Sequence, residues 1–141
     1  MQAQIGLPEG DTLKVVLIDD DDLDRFVIKR SFNAIEPPVE LIEVSDPRQA
    51  VKTIIDQQPH VTLLDIQMPH MSGFDVLKEL GSQAGGAALL DRTLMLSSSA
   101  QLNDRERSQS LGAKAYRTKP STLDDYITLA KDVHKEYLNS K

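Results

Sequence analysis

The sequence predicts an α/β fold in which five parallel strands form one doubly wound sheet, with five helices packed on its two faces. Three observations support this prediction. Short apolar or β-branched runs alternate with helical patterns along the chain. The runs that end at Ile18, Leu64 and Leu96 are continuously apolar, as is typical of central strands that helices cover on both sides. A chain of 141 residues is also long enough to bury the core of one such domain.

Five brief apolar or β-branched runs give the predicted strands, which span 14–18, 39–44, 61–64, 93–96 and 115–117. Before the first run, residues 1–12 contain two glycines and one proline and show little periodicity. They are predicted to form a flexible N-terminal leader. We therefore expect one folded domain over residues 13–141.

Four helices are predicted from apolar residues at helical spacing. The second helix follows Asp46-Pro47, a typical start signal, and the third is opened by Ser72 and closed by Gly81. The apolar residues of the first and last helices are Leu23, Phe26, Val27 and Ile28, and Leu123, Tyr126, Ile127, Ala130 and Val133.

Two segments lack a clear apolar pattern. Residues 103–111 are polar, and Leu102 and Leu111 are the main apolar residues near them, so we expect a short and loosely packed fourth helix. Residues 81–91 are rich in glycine and alanine and are predicted to form a loop of above-average length.

Composition excludes several classes of function. The net charge of −6 and an aromatic content of 4% argue against direct binding to nucleic acid. The absence of cysteine excludes disulfides and thiolate metal sites. No apolar stretch is long enough to cross a membrane, and the first residues lack a signal-peptide pattern. We expect a cytoplasmic protein that contacts no membrane.

Charged and hydroxyl side chains follow four of the predicted strands. They are the run Asp19 to Asp22 after the first strand, Asp65 after the third, Ser97 to Ser99 after the fourth, and Lys119 after the fifth. Because the carboxyl ends of parallel strands lie on one edge of the sheet, these side chains are predicted to converge in the crevice where such folds bind ligands.

The converging groups suit phosphoryl transfer. Clustered carboxylates repel one another unless a cation lies among them, and an all-oxygen set with few protein ligands suits Mg²⁺. Lys119 and Ser97 are placed to supply an ammonium and a hydroxyl for phosphoryl oxygens. The carboxylate of Asp65 is then the predicted nucleophile, which forms an acyl phosphate.

The sequence resembles the receiver domain of two-component response regulators, the CheY-like superfamily with a flavodoxin-like fold, over roughly residues 13–138. The resemblance depends on four separate motifs in the family's order, namely Leu17-Ile18-Asp19-Asp20-Asp21, Leu64-Asp65-Ile66-Gln67-Met68-Pro69 with Gly73, Leu96-Ser97, and Lys119-Pro120. It implies that Asp65 is the phosphoacceptor. It also implies that Asp19, Asp20, Asp65 and the main-chain carbonyl of Gln67 bind Mg²⁺.

The resemblance implies further roles at the ends of the fourth and fifth strands. Ser97 corresponds to the family's switch residue, Lys119 to its phosphate-contacting lysine, and Tyr116 to an aromatic residue whose rotamer follows the switch. The run Ser97 to Ser99 leaves the register of the switch residue open by one or two positions, and the separation from Lys119 favours Ser97.

The implied function is that of a switch more than an enzyme. The domain would accept a phosphoryl group from a histidine kinase or a histidine phosphotransfer protein, and would catalyse only its own phosphorylation and dephosphorylation. In the family, the face formed by the fourth and fifth βα units commonly pairs with another receiver or an output protein. The resemblance therefore implies a homodimer or an output partner on that face.

Two other classes of function share features with this pattern. A haloacid-dehalogenase-like phosphatase would also use Asp65 as a nucleophile with Mg²⁺, but such enzymes carry a second aspartate two residues on, where this chain has Gln67. A nucleotide-binding module is disfavoured because neither GxxxxGK[ST] nor GxGxxG follows any predicted strand.

Overall fold

The computed structural model describes residues 12–36, 39–98 and 101–138. The predicted leader lies outside the described residues except for Thr12, and so do residues 139–141 at the other end of the predicted domain. Within the described ranges, five strands and six helices follow one another in the order β1 Leu13–Ile18, α1 Asp22–Asn33, β2 Val39–Val44, α2 Ala50–Gln57, β3 Val61–Asp65, α3 Gly73–Gly81, α4 Gly86–Leu90, β4 Thr93–Ser97, α5 Leu102–Ser110, β5 Ala115–Thr118 and α6 Leu123–Leu138.

All five strands are parallel and form one sheet in the order β2-β1-β3-β4-β5. Strands β1, β3 and β4 are central, as their continuously apolar sequences predict. The chain adds β2 on one side of β1 and β3 on the other, so the winding direction reverses between β1 and β3. Open α/β sheets bind their ligands at the carboxyl edge of such a switch point.

Alternate strand residues contribute to two separate apolar cores, which confirms the doubly wound arrangement. One core contains Val16 and Leu64 with side chains from α2 and α3, such as Ile54 and Leu77. The other core is formed by Val15, Leu17 and Leu63 with side chains from α1 and α6, represented by Ile28 and Leu129. Because successive strand residues point to opposite faces, each central strand supports both cores.

The start signals predicted for two helices are present. The Asp46 carboxylate accepts a hydrogen bond from the main-chain N–H of Arg48 and caps a 3₁₀ turn, Pro47–Gln49, that leads into α2. Ser72 caps α3 in a capping box, in which Ser72 and Asp75 each accept a hydrogen bond from the other's main-chain N–H. This cap fixes the end of the loop that follows Asp65.

Helix α1 is present, as the apolar residues at 23 and 26–28 predicted, but two of these residues, Leu23 and Phe26, are 68% and 58% exposed. Helix α1 instead contacts the sheet through Ile28 and Phe32, which are buried. With 3.6 residues per turn, Leu23 and Phe26 lie on the other side of the helix. The apolar character of Leu23 and Phe26 therefore did not identify the side of α1 that faces the sheet.

The predicted loop 81–91 contains the short helix α4, which raises the number of helices in the described ranges from the predicted five to six. Helix α4 buries Leu89 and Leu90. It begins at Gly86, where a Cβ atom would lie 1.9 Å from the carbonyl oxygen of Leu80. Only glycine allows this close approach of α4 to the end of α3.

The polar segment after β4 forms α5, as predicted, and Ser108 is the only buried residue of this helix. A helix that buries so little apolar surface is held weakly to the rest of the domain. No helix in the described part of the chain is long and apolar enough to span a membrane.

Candidate functional site

The carboxyl edge of the sheet brings together polar residues from four strand ends. Asp19 follows β1, Asp65 ends β3, Ser97 ends β4 and Lys119 follows β5. Asp19 is 1% exposed, Asp65 is 7% exposed and Ser97 is 1% exposed, so the group is buried except where the crevice opens. The pairing of Ile18 with Leu64 and of Asp65 with Leu96 aligns these ends across the sheet.

The ammonium of Lys119 lies among three carboxylates. Its Nζ atom is 3.0 Å from Oδ2 of Asp19, 2.7 Å from Oδ2 of Asp24 and 3.3 Å from Oδ1 of Asp65. The main-chain N–H of Lys119 donates to the Ser97 carbonyl at 2.7 Å, which continues the pairing of β4 and β5 past the strand ends. The sheet itself therefore directs Lys119 over the crevice.

Asp19 is held at its main chain and at its carboxylate. Its N–H donates to the Val44 carbonyl on β2 at 3.1 Å, and its own carbonyl accepts a hydrogen bond from Arg25 Nη1 at 2.7 Å. Its Oδ1 accepts from the Asp21 N–H at 2.9 Å, while Oδ2 faces Lys119. The Arg25 guanidinium also pairs with Glu43, 3.5 Å away on β2. These contacts fix the orientation of Asp19 in the crevice.

The loop after β3 turns tightly around Asp65. The Asp65 carboxylate accepts a hydrogen bond from the main-chain N–H of Ile66 at 2.9 Å, and the Gly73 N–H donates to the Ile66 carbonyl at 2.8 Å. A Cβ atom at Gly73 would lie 2.3 Å from the carbonyl oxygen of Asp65. Glycine is required here because the start of α3 approaches the end of β3 so closely.

Three carboxylates in the crevice can hold a divalent cation. Ligand atoms of Asp19, Asp20 and Asp65 all lie within 4.8 Å of one another. Asp20 is exposed, whereas the other two are buried. An oxygen-only set that faces solvent on one side suits a hard cation such as Mg²⁺, which keeps several of its waters. The residues present therefore fit such an ion.

The charges of the site are unevenly balanced. Burial, and then the neighbouring charge of Asp19, raises the pKa of Asp65 to about 6, although Lys119 acts in the opposite direction. Burial also raises the pKa of Asp19 despite its hydrogen bonds. For Lys119, burial alone would lower the pKa, but hydrogen bonds to Asp24 and Asp19 outweigh it and raise the pKa. One ammonium thus leaves the carboxylates incompletely neutralised, and a cation would relieve this repulsion.

The other predicted site residues lie around this cluster. Ser97 is buried and Ser98 is exposed, while Ser99 lies outside the described residues. Gln67 is exposed in the loop after β3. Tyr116 is buried in β5, and the Arg105 guanidinium lies 4.9 Å from the centroid of its ring. The switch roles of Ser97 and Tyr116 and the metal role of Gln67 stay predictions.

Two residues of the site were missed in the sequence, namely Asp24 and Arg25. Both belong to the first turns of α1, whose N-cap is Asp21. The signal that identifies them is positional, because only three residues separate α1 from β1 and the first turns of the helix therefore lie next to the strand end. Asp24 was obscured by the adjacent run of four aspartates, which is typical of a helix N-terminus.

Known proteins that are similar to this chain in sequence and in structure include response regulators. Residues 15–131 match the model of the response regulator receiver domain. The sensor protein EvgS of Escherichia coli K12 is 30% identical over 131 residues, which are 93% of this chain and 10% of EvgS. The sporulation initiation phosphotransferase F of Bacillus subtilis is 24% identical over 91% of this chain and 95% of its own length.

Solved structures of response regulators share the fold of this chain. The crystal structure of the response regulator RPA3017 of R. palustris superposes with a TM-score of 0.80 at 24% identity, over 92% of this chain and 96% of that one. The chain spans between 10% and 47% of the length of the first five curated relatives that it matches. The family match covers most of the chain and coincides with the five-stranded sheet and its acidic crevice. The chain therefore belongs to the response regulator receiver domain family of two-component systems.

Proposed function

We propose that Asp65 accepts a phosphoryl group from a phosphohistidine of a histidine kinase or histidine phosphotransfer protein. The observation that supports this most strongly is the arrangement around Asp65. Its carboxylate lies at a strand end, 3.3 Å from the Lys119 ammonium and within 4.8 Å of ligand atoms on Asp19 and Asp20. A nucleophile, a fixed cation and a candidate metal site in one crevice are the components of phosphoryl transfer.

In the proposed step, a carboxylate oxygen of Asp65 forms a new O–P bond as the P–N bond of phosphohistidine breaks. The departing imidazole nitrogen keeps the electron pair of that bond. Lys119 stabilises the negative charge on the phosphoryl oxygens from its fixed position beside Asp65. Because the pKa of Asp65 is about 6, its carboxylate is ionised, and therefore nucleophilic, at neutral pH.

Asp19, Asp20 and Asp65, together with the main-chain carbonyl of Gln67, are the proposed Mg²⁺ ligands. Mg²⁺ bound there would neutralise part of the charge that phosphorylation adds. The chain's own contribution is to orient the carboxylates. For Asp19, the Asp21 N–H donates to the carboxylate, and Arg25 donates to the main-chain carbonyl.

The donor class is supported by the relatives. EvgS is a sensor protein, and the Bacillus subtilis relative is a phosphotransferase of sporulation initiation. Receiver domains act with histidine kinases or phosphotransfer proteins, and this chain carries the acidic crevice that such a reaction requires. The specific donor is part of the proposal.

The donor class is tested with small molecules that carry one labile phosphoryl bond. In the presence of Mg²⁺, phosphoramidate, which has a P–N bond, should add one phosphoryl group to the intact protein as measured by mass spectrometry. The phosphomonoester p-nitrophenyl phosphate should not be turned over. Steady release of nitrophenol, with no mass increase from phosphoramidate, would instead support the haloacid-dehalogenase-like phosphatase.

We further propose that phosphorylation alters α5 through Ser97 and Tyr116. Helix α5 is held by contacts between arginines and rings more than by apolar packing. Arg105 donates to the Tyr116 carbonyl at 3.3 Å and stacks on its ring, and Arg107 lies 4.3 Å from the centroid of the Phe74 ring. Such partly exposed contacts contribute little each, so the helix can rearrange at a low cost in free energy.

The proposed binding partners that respond to this change are a second copy of the chain or an output protein. The face formed by α5 and β5 carries Arg105, Lys114 and Arg117, all exposed. A partner that docks there would contact α5, so its binding would depend on the position of the helix.

The proposed switching predicts a change in amide hydrogen exchange on phosphorylation or on binding of a phosphoryl mimic. Exchange over residues 101–111 should change by severalfold, because α5 buries only Ser108. Helix α2, residues 50–57, is anchored by the buried side chains of Ala50, Val51 and Ile54 and serves as the internal control. Its amide exchange should not change. Unchanged exchange over residues 101–111 in fully phosphorylated protein would refute a role for α5.

A further inference from the structure

We propose that Asp24 is a positioning residue that holds the Lys119 ammonium toward Asp65. This inference rests on the proposed phosphoacceptor function, because it assigns Asp24 a part in that reaction. Asp24 Oδ2 is 2.7 Å from Lys119 Nζ, the shortest of the three contacts of the ammonium with carboxylates. Asp24 comes from α1, whereas the other two carboxylates come from strand ends.

The geometry of the ammonium explains why a second anchor matters. A lysine side chain is flexible and has three N–H donors. Two of them form hydrogen bonds, to Asp19 at 3.0 Å and to Asp24 at 2.7 Å. The approach to Asp65 Oδ1 is longer, at 3.3 Å, and is an ion pair. The two hydrogen bonds therefore fix the ammonium from β1 and α1, and the third donor is left for an acceptor on Asp65.

The position of Asp24 is itself well determined. Asp21 caps α1 by accepting hydrogen bonds from the N–H groups of Leu23 and Asp24, at 2.9 and 3.2 Å. Asp24 thus lies in a capped first turn that is separated from β1 by only three residues. Its carboxylate reaches Lys119 across 95 residues of sequence, which a helix-stabilising acid does not require.

Asp24 also differs from Asp19 in what else it serves. The three carboxylates that can hold a cation are Asp19, Asp20 and Asp65. Asp19 is shared between this group and Lys119, so a bound cation would compete for its oxygens. Asp24 faces Lys119 without belonging to the group. It can keep the ammonium in place while the other carboxylates engage a cation.

Two substitutions separate the position of the ammonium from the charge of Asp24. Asp24→Asn removes the charge but keeps an oxygen that accepts a hydrogen bond, whereas Asp24→Ala removes both. The Asp24 side chain is 32% exposed, so its charge is partly screened by solvent. If position is what matters, Asn should retain most of the wild-type behaviour and Ala should not.

The first readout uses metal-free, unphosphorylated protein. In ¹H–¹⁵N spectra of lysine ammonium groups, Lys119 should give a resolved signal, assigned by its loss in Lys119→Arg. The signal should persist in Asp24→Asn and be lost to broadening or solvent exchange in Asp24→Ala. Asp22→Ala is the matched control, because it removes an acid from the same turn whose side chain is 93% exposed and faces Arg25.

The second readout is the rate of phosphorylation by phosphoramidate at saturating Mg²⁺. Asp24→Ala should lower the maximal rate about three- to tenfold with little change in the donor concentration at half-maximal rate, since only alignment is lost. Asp24→Asn and Asp22→Ala should remain within about twofold of wild type.

The outcomes are distinct. An Asp24→Ala protein that keeps both the ammonium signal and the rate overturns the proposal, and so does an equal acceleration in Asp24→Asn and Asp24→Ala, which would make Asp24 a repelling charge. A wild-type protein that accepts no phosphoryl group refutes the proposed function instead. The ammonium signal would then still report whether Asp24 positions Lys119.

Discussion

Replacing Asp65 with asparagine is expected to abolish phosphoryl uptake. With Mg²⁺ and phosphoramidate, the intact mass of the wild-type protein should increase by one phosphoryl group, and that of Asp65→Asn should not change. An amide oxygen lacks the negative charge of a carboxylate and is a poor nucleophile toward phosphorus. Asparagine also preserves the size of the side chain, which matters because Asp65 is 7% exposed.

The matched control is Asp56→Asn, which removes an exposed carboxylate on α2 that pairs with Lys52 at 2.8 Å. It should retain the wild-type mass increase. Equal uptake by Asp65→Asn and the wild type would mean that another residue is the acceptor. Loss of uptake in both variants would point to a general effect of charge, and would contradict the assignment equally.

Replacing Lys119 with methionine is expected to destabilise the metal-free protein strongly at neutral pH. The Lys119 side chain is 10% exposed and supplies the ammonium that faces the buried Asp19 and Asp65. Its loss leaves two buried carboxylates without their cationic partner, and the free energy of unfolding should decrease by about 2 to 4 kcal/mol. Urea denaturation in the presence of a chelator measures this change.

The effect should depend on pH in a defined direction. The pKa of Asp65 is raised to about 6, so between about pH 4 and pH 6 the folded state retains a proton that the unfolded chain releases. Folding is therefore favoured by acidification through this window and disfavoured as the pH rises through it. Because Lys119 holds the pKa of Asp65 down, its removal should raise that pKa further. The deficit of Lys119→Met should thus shrink as the pH falls toward about 5.

A second substitution tests the cause of the deficit. Combining Lys119→Met with Asp65→Asn removes one of the two repelling carboxylates and should restore more than half of the lost stability. Lys119→Arg retains the positive charge and should lose less than Lys119→Met. A deficit that is constant from about pH 5 to 8 and unaffected by Asp65→Asn would show that Lys119 stabilises the fold by packing alone.

The sequence predicted those parts of the fold in which a local pattern of residues is compatible with only one kind of structure. The continuously apolar runs before Asp19, Asp65 and Ser97 identified the three central strands, because only strands covered on both faces lack polar alternation. Parallel strands in one sheet then required their carboxyl ends to meet. This is why Asp19, Asp65 and Lys119 could be placed in one crevice from the sequence.

What could not be predicted depends on how elements approach one another. The side on which α1 packs is set by Ile28 and Phe32, so Leu23 and Phe26 are exposed although they are equally apolar. Helix α4 has five residues, too few to show a period, and depends on the close approach allowed by Gly86.

The contact of Asp24 with Lys119 could not be read from the sequence for a related reason. It joins residues 95 positions apart and requires the direction in which α1 leaves the sheet. A run of acidic residues at a helix start has an ordinary explanation in the helix dipole, and this explanation conceals a long-range partner.

The central claim is that the Asp65 carboxylate carries the phosphoryl group, and chemical trapping tests it most directly. Borohydride reduces an acyl phosphate of aspartate to homoserine, which peptide mass spectrometry then locates in the sequence. After phosphorylation with phosphoramidate and Mg²⁺, homoserine should be found at position 65 and at no other aspartate. Homoserine at Asp19, Asp20 or Asp24, or its absence from a protein that has gained a phosphoryl group, would contradict the account.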